Sequence, residues 1–394
     1  MDMTKSAASS SAILATGTTS QRPSPKMAGD GRTLSLSALD LVPLIEGSTS
    51  VIALRGAAEL ARAVDRFGYS RLWYAEHHNM WTTATTTPEI LIAHIGSMTT
   101  RIRLGAGGVM LPNHSPLKVA ESYKLLEAIH PGRIDLGIGR APGTDSVTAL
   151  AIRRSRKAFL VDDFVEQLDE LVAWGSGEFA SDNPFRAVRA MPDDRPLPPI
   201  FLLGSSDYSA KLAAAMGIGF AFAGHFSPDP PDVAMRAYRS GFFPDGALDK
   251  PHAILALSVC CADTEAAAQR MVSSTLLSFL QFRTGRAGRM PSPEKAMAHI
   301  FTPEEWALVA PFEKLQIVGT PEQVRARIEA IATRTEADEV MIATHAYDLA
   351  ARVRSYELVA QAFGLPALVP RPEWTRALER LDDAAAADAG VKGK

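Results

Sequence analysis

The sequence predicts an α/β fold, a (β/α)8 TIM barrel with insertions, and three observations carry that expectation. Short apolar runs bounded by Gly, Pro or Asn alternate with longer stretches of helical period between residues 34 and 364. Eight such runs can be counted, at 34–42, 71–75, 102–109, 133–139, 199–203, 219–223, 253–260 and 339–343. The first turn lacks the glycine fingerprint of a doubly wound dinucleotide fold, whose open sheet more often has about five or six strands.

Each unit follows from its own residues. After the first run, Ala57, Leu60, Ala61, Val64 and Phe67 recur on one helical face, and Gly68 stands where that helix should stop. The third run leads into a helix expected to carry Leu117, Ala120, Leu125 and Ile129. The fifth leads through Gly204-Ser205-Ser206-Asp207 into a helix holding Leu212, Ala215 and Met216 and closing near Gly217. A barrel of this kind needs about 250 residues. Insertions near 151–195, with a helix around 163–174, and near 283–311 account for the excess. The barrel is thus expected over 34–365, behind a Ser/Thr/Ala/Gly-rich disordered leader at 1–33 and ahead of a tail at 366–394 that reads as a helix and then a fraying end.

Composition narrows the function class. With 46% apolar residues in 394, the chain can bury a large core. Its 41 Lys and Arg against 44 Asp and Glu give no basic field, which argues against nucleic acid and for a small-molecule enzyme or a protein binder. The neighbours Cys260 and Cys261 are the only cysteines, too few for a disulfide framework, and fit a reducing cytoplasm. No apolar run reaches the roughly 18 residues a membrane span needs.

In a barrel the working residues project from the C-terminal ends of the strands. The second run ends in Glu76-His77-His78-Asn79, where an imidazole can act as acid or base near neutrality or can simply tie down a loop. Two adjacent histidines do not readily share one ion and no spaced ligand follows, so no metal is expected. Gly107 and Gly108 inside the third run suggest a flat ligand against the main chain, with tight barrel packing as the plainer account. In the fourth, Gly137, Gly139 and Gly143 approach a dinucleotide loop, but the third glycine falls one residue late and Pro142 interrupts the turn. Arg140 at that strand end suits a phosphate, or a surface ion pair. The Gly204-Ser205-Ser206 turn offers hydroxyls, N–H groups and a helix N-terminus to a phosphate, or merely caps its helix. His225 and Met110 stand at strand ends where they line the substrate side or serve the structure.

Together, Glu-His-His-Asn at 76–79, the segments 108–121 and 130–145, and Val318-Gly319-Thr320-Pro321-Glu322 resemble the bacterial luciferase-like flavin-dependent monooxygenases, most closely their single-chain, non-luminous branch. The resemblance spans Leu36 to about Phe363. It implies FMN as cofactor, reduced by a separate flavin reductase, and O2 as co-substrate. One oxygen atom would pass to a small organic substrate through a flavin hydroperoxide, in an enzyme that commonly pairs as a homodimer. By motif, His77 matches the catalytic histidine, and Gly107 and Gly108 the small pair beside the flavin ring, often joined by a cis peptide. Arg140 matches the phosphate-binding arginine and Ser205 the phosphate-binding serine, with Gly204 and Ser206 in the same turn. Luciferase carries a reactive cysteine where this chain has Gly139 and a glutamate where it has Gly204, which argues against light emission and long-chain aldehydes. Two alternatives remain on sequence grounds: a deazaflavin-dependent dehydrogenase of the same superfamily and a non-catalytic flavin-binding barrel.

Overall fold

The computed structural model describes residues 34–155, 162–244 and 246–367, so the expected leader at 1–33 and nearly all of the tail lie outside the described residues. Nine strands form one parallel sheet: β1 (Ser35–Asp40), β2 (Arg71–Tyr74), β3 (Arg103–Met110), β4 (Ile134–Gly139), β5 (Ile200–Gly204), β6 (Gly219–Phe222), β7 (Ala253–Cys261), β8 (Gln316–Gly319) and β9 (Glu339–Ala343). Strands β1 to β7 pair in sequence, β7 pairs with β9, and β9 returns to β1, which closes an eight-stranded barrel. These eight are the runs expected from the sequence, to within two residues at each end. The ninth, β8, was not expected. It pairs with Ser258–Cys261 of the long β7, past the point where β6 ends, and stands outside the ring.

Twelve helices flank the sheet among the described residues: α1 (Ser50–Phe67), α2 (Pro88–Gly96), α3 (Pro116–Ile129), α4 (Ser146–Arg153), α5 (Phe164–Ser176), α6 (Asp207–Ala215), α7 (Pro231–Ser240), α8 (Glu265–Arg283), α9 (Pro293–Ala298), α10 (Pro303–Glu313), α11 (Pro321–Thr335) and α12 (Leu349–Ala362). Thr49 caps α1 by accepting from the Ile52 N–H, and Gly68, at φ 94°, ends it in the left-handed region that glycine enters without a Cβ penalty. The helix expected after the third run is α3. The helix buries Val119, Ala120, Tyr123 and Leu126, while Leu125 and Ile129 are 54% and 51% exposed. Their positions fall beside that stripe, so they face outward.

Strand side chains alternate between two environments. Outward-facing residues such as Leu36, Leu72, Leu104, Leu136, Leu202 and Leu255 pack beneath the helices in the main core. Inside the ring, Leu39, Trp73, Phe201, Ala221, Ile254, Ala256, Met341 and Ala343 form a separate cluster, with Trp73 and Phe201 edge to face at 5.3 Å. Below them the barrel is plugged by charge. Arg71 donates to Asp135 at 2.8 Å and to Glu339 at 2.7 Å, Arg103 reaches Asp135 at 2.6 Å, and His252 lies 3.1 Å from Glu339. The floor is therefore filled and ion-paired, and the C-terminal ends of the strands form the opposite mouth.

Candidate functional site

Glu76, just past β2, organises one wall of the mouth. Its carboxylate is 1% exposed and accepts from His78 Nε2 at 2.9 Å, His114 Nε2 at 2.9 Å and the Met110 N–H at 2.9 Å. These donors outweigh the burial that opposes its charge and hold its pKa below the ordinary carboxylate value. His114 is held up in turn by Glu76, against its own burial. Glu76 and His78 thus anchor loops. The His77 N–H donates to the Thr85 carbonyl at 3.0 Å and the His78 N–H to that of Gly143 at 3.2 Å, which fixes the backbone on either side of the His77 ring.

No hydrogen bond from a described residue engages the His77 ring. Its Nδ1 is buried without a hydrogen-bond partner, and burial pushes its pKa down to about 4, with Glu76 opposing and His78 assisting. His225, three residues past β6, repeats the pattern. Its Nδ1 is buried and unpartnered, and its pKa falls to about 3 through burial and the nearness of His345 and His77. His345, two residues past β9, is lowered to about 4 by burial, by the Arg352 guanidinium and by His77. Three neutral imidazoles therefore meet at one barrel mouth, from strands that alternate around the ring. Sequence reasoning singled out His77 and His225 and missed His345, whose one signal is its place just past the last barrel strand.

Gly107 and Gly108 lie in β3 opposite an irregularity in its pairing with β4, and the peptide between them is cis. A Cβ on Gly107 would stand 3.1 Å from Trp73 and 3.2 Å from Leu39, side chains of the barrel interior. One on Gly108 would stand 2.8 Å from the Gly137 carbonyl oxygen. Both positions are thus closely packed, which is the plainer of the two readings of the pair. Met110 packs over β4, its sulfur within 2.8 Å of where a Gly139 Cβ would be.

Arg140, one residue past β4, stacks its guanidinium 4.8 Å from the ring centroid of Tyr208 in the first turn of α6. Its nearest carboxylate, Asp162, is 4.0 Å away and mostly exposed. Ser206 occupies the N-cap position of α6 but makes no side-chain cap bond, and no hydrogen bond engages the Ser205 hydroxyl among the described residues. A fixed cation, two uncommitted hydroxyls and a helix N-terminus thus adjoin. Gly204 serves packing, since a Cβ there would fall 2.4 Å from Ser209. No group of three or more His, Cys, Asp or Glu among the described residues is arranged to hold a metal, and no helix among them is long and apolar enough to cross a membrane.

The luciferase-like monooxygenase family profile matches residues 38–339. The chain belongs to the luciferase-like monooxygenase family. As a member it is an oxidoreductase, and the resemblance read from its motifs holds over most of its length. A luciferase-like monooxygenase of Escherichia coli (strain K12) is 41% identical over 327 residues, covering 83% of this chain and 96% of that protein. The crystal structure of apo-MsnO8 superposes with a TM-score of 0.78 at 38% identity, covering 85% of this chain and 99% of the other. The oxygenating constituent of 3,6-diketocamphane monooxygenase from Pseudomonas putida, a type II Baeyer-Villiger monooxygenase solved with FMN, shares the fold at a TM-score of 0.63 and 20% identity, over 86% of this chain and 99% of its own.

Proposed function

We propose that this luciferase-like monooxygenase binds FMN at the barrel mouth and, with the flavin reduced, uses O2 to oxygenate a small organic substrate. The observation that carries the reading is the pair of buried, unpartnered His77 and His225 imidazole nitrogens past the ends of β2 and β6, at the same end of the barrel as Arg140 and the head of α6. The residues fit the group. The flavin ring would be held beside the Gly107-Gly108 backbone, and its phosphate would be held by Arg140 and the Ser205-Ser206 turn at the head of α6. Bound reduced FMN supplies the two electrons that activate O2. The protein supplies the rest. The apolar barrel interior excludes water, and His77, neutral at pH 7, takes and returns a proton without acidifying the site.

No dinucleotide fingerprint is present, so a separate reductase supplies the reduced flavin. Exposed Ile90, Leu125 and Ile129 on α2 and α3 suit a homodimer, and the two free cysteines suit the cytoplasm. Fluorescence titration with FMN and with a deazaflavin separates the oxygenase from the dehydrogenase reading. Saturable FMN binding, air oxidation of bound reduced FMN and no bleaching by NADH are expected; retention of the deazaflavin alone overturns the proposal.

A further inference from the structure

We infer that His345 is a second acid–base residue of this mouth, facing the same substrate as His77 so that the reacting centre lies between imidazoles from different strands. The inference rests on the flavin reading above and extends it to a residue outside the Glu-His-His-Asn motif. Around the closed ring, β2, β6 and β9 are alternate members, with β9 two strands from each of the other two. Each of the three histidines lies two or three residues past the C-terminal end of its strand, so all stand at the same mouth.

The backbone around His345 is fixed from three directions. Its carbonyl accepts from Thr275 Oγ1 of α8 at 2.9 Å and faces the Cys260 thiol of β7 at 3.8 Å. The preceding Thr344 N–H donates to Tyr356 Oη of α12 at 3.2 Å, and Ala346 beyond it is fully buried. By contrast no hydrogen bond from a described residue reaches the His345 ring, so an oriented imidazole is left for a ligand. The groups facing it are Arg352 and Asp40, themselves paired at 2.6 Å, together with His77, His225 and the Cys260 thiol. The Arg352 charge favours the neutral ring, and a neutral ring can accept a proton and give it back.

The balance closes without a further reactant. One atom of O2 enters the substrate, the other leaves as water with two protons, and the reduced flavin of the reading above supplies two electrons and two protons. His345 takes up a proton as it appears and returns it, ending as it began.

The test has two arms. In flavin-free protein between pH 5 and 8, the imidazole Hε1 NMR resonances are assigned with His77→Asn, His225→Asn and His345→Asn. His77→Asn is expected to move the His345 and His225 resonances and leave His130 and His252 unchanged. A His345 resonance indifferent to His77→Asn overturns the inference, whatever flavin does. In the second arm, reduced FMN bound to the enzyme is reoxidised in air between pH 6 and 9. His345→Asn is expected to change that rate at least ~10-fold and to alter its pH profile at unchanged FMN affinity, with His345→Gln behaving alike. A rate and profile equal to wild type overturn the inference. Wild-type protein that binds no FMN, with the NMR coupling intact, overturns the flavin reading instead.

Discussion

His114 Nε2 lies 2.9 Å from one oxygen of the Glu76 carboxylate and 3.0 Å from the other, so a loop after β3 is clamped to a loop after β2 through a buried charge. Glu76→Ala would leave His114, His78 and the Met110 N–H without their acceptor. A loss of about 1 to 3 kcal/mol is expected from urea denaturation. The pH dependence follows from the two shifts. Glu76, lowered from 4.5, contributes stability above that value and loses it as pH falls through its folded pKa; His114, raised from 6.5, contributes below that value and loses it as pH rises through its own. The difference between wild type and variant should therefore be larger at pH 5.5 than at pH 8.5.

The histidine cluster acts on stability in the opposite sense to an ion pair. His77, His225 and His345 stay neutral in the folded protein down to about 4, 3 and 4, whereas the unfolded chain takes up protons near 6.5. Between those values the unfolded state binds more protons, so stability falls as pH drops from 6.5 towards 4. Denaturation midpoints across that window should decline less steeply in His225→Asn than in wild type. An equal slope would remove His225 from the cluster.

His77→Ala should leave the fold and FMN binding nearly intact, because its ring holds no hydrogen bond that the structure needs. Turnover should fall by roughly 10² to 10⁴, the usual weight of a positioned acid or base. Partial rescue by added imidazole would mark the loss as chemical.

Arg140→Ala removes the one charged member of the expected phosphate cradle and its stacking on Tyr208. A charge-assisted hydrogen bond of about 1.5 to 3 kcal/mol corresponds to FMN binding weaker by roughly one to two orders of magnitude. Riboflavin, which has no phosphate, should bind the two proteins alike, and a loss for both ligands would speak against a phosphate contact.

The two adjoining glycines of β3 should respond differently. Ala at 108 pushes its methyl to 2.8 Å from a backbone oxygen, which cannot turn aside, and should cost about 1 to 3 kcal/mol of stability. Ala at 107 meets side chains of Trp73 and Leu39 at 3.1 to 3.2 Å, so its thermal midpoint should fall less while FMN titration shows weaker binding.

Much of this architecture was legible because it repeats. A barrel strand needs an apolar outer face, and eight runs announced it; β8 carries only Gln316-Ile317-Val318-Gly319 and borrows its place from the overlong β7, so nothing local marked it. Leu125 and Ile129 lie on α3 as expected but outside its buried stripe, since helical period fixes which residues share a face but not whether that face meets the core or the solvent. At the mouth, the Glu-His-His-Asn and Gly-Gly segments stood out because several unusual residues adjoin. His345 did not, sitting alone after a strand 268 positions beyond His77, and only closure of the ring brings the two together.

That closure also sets a timetable for biosynthesis. Arg71 and Glu339, the buried partners at the barrel floor, are 268 residues apart. At translation speeds of roughly 5 to 20 residues per second, Arg71 leaves the ribosome some ~13 to ~54 s before its partner is made. Through that interval the nascent chain carries an unsealed sheet whose β1 edge awaits β9, a surface on which a chaperone that shields strand edges would act. A chain truncated before Glu339 would leave the edges of β1 and β7 unpaired, so the last strand works as the latch of the whole enzyme.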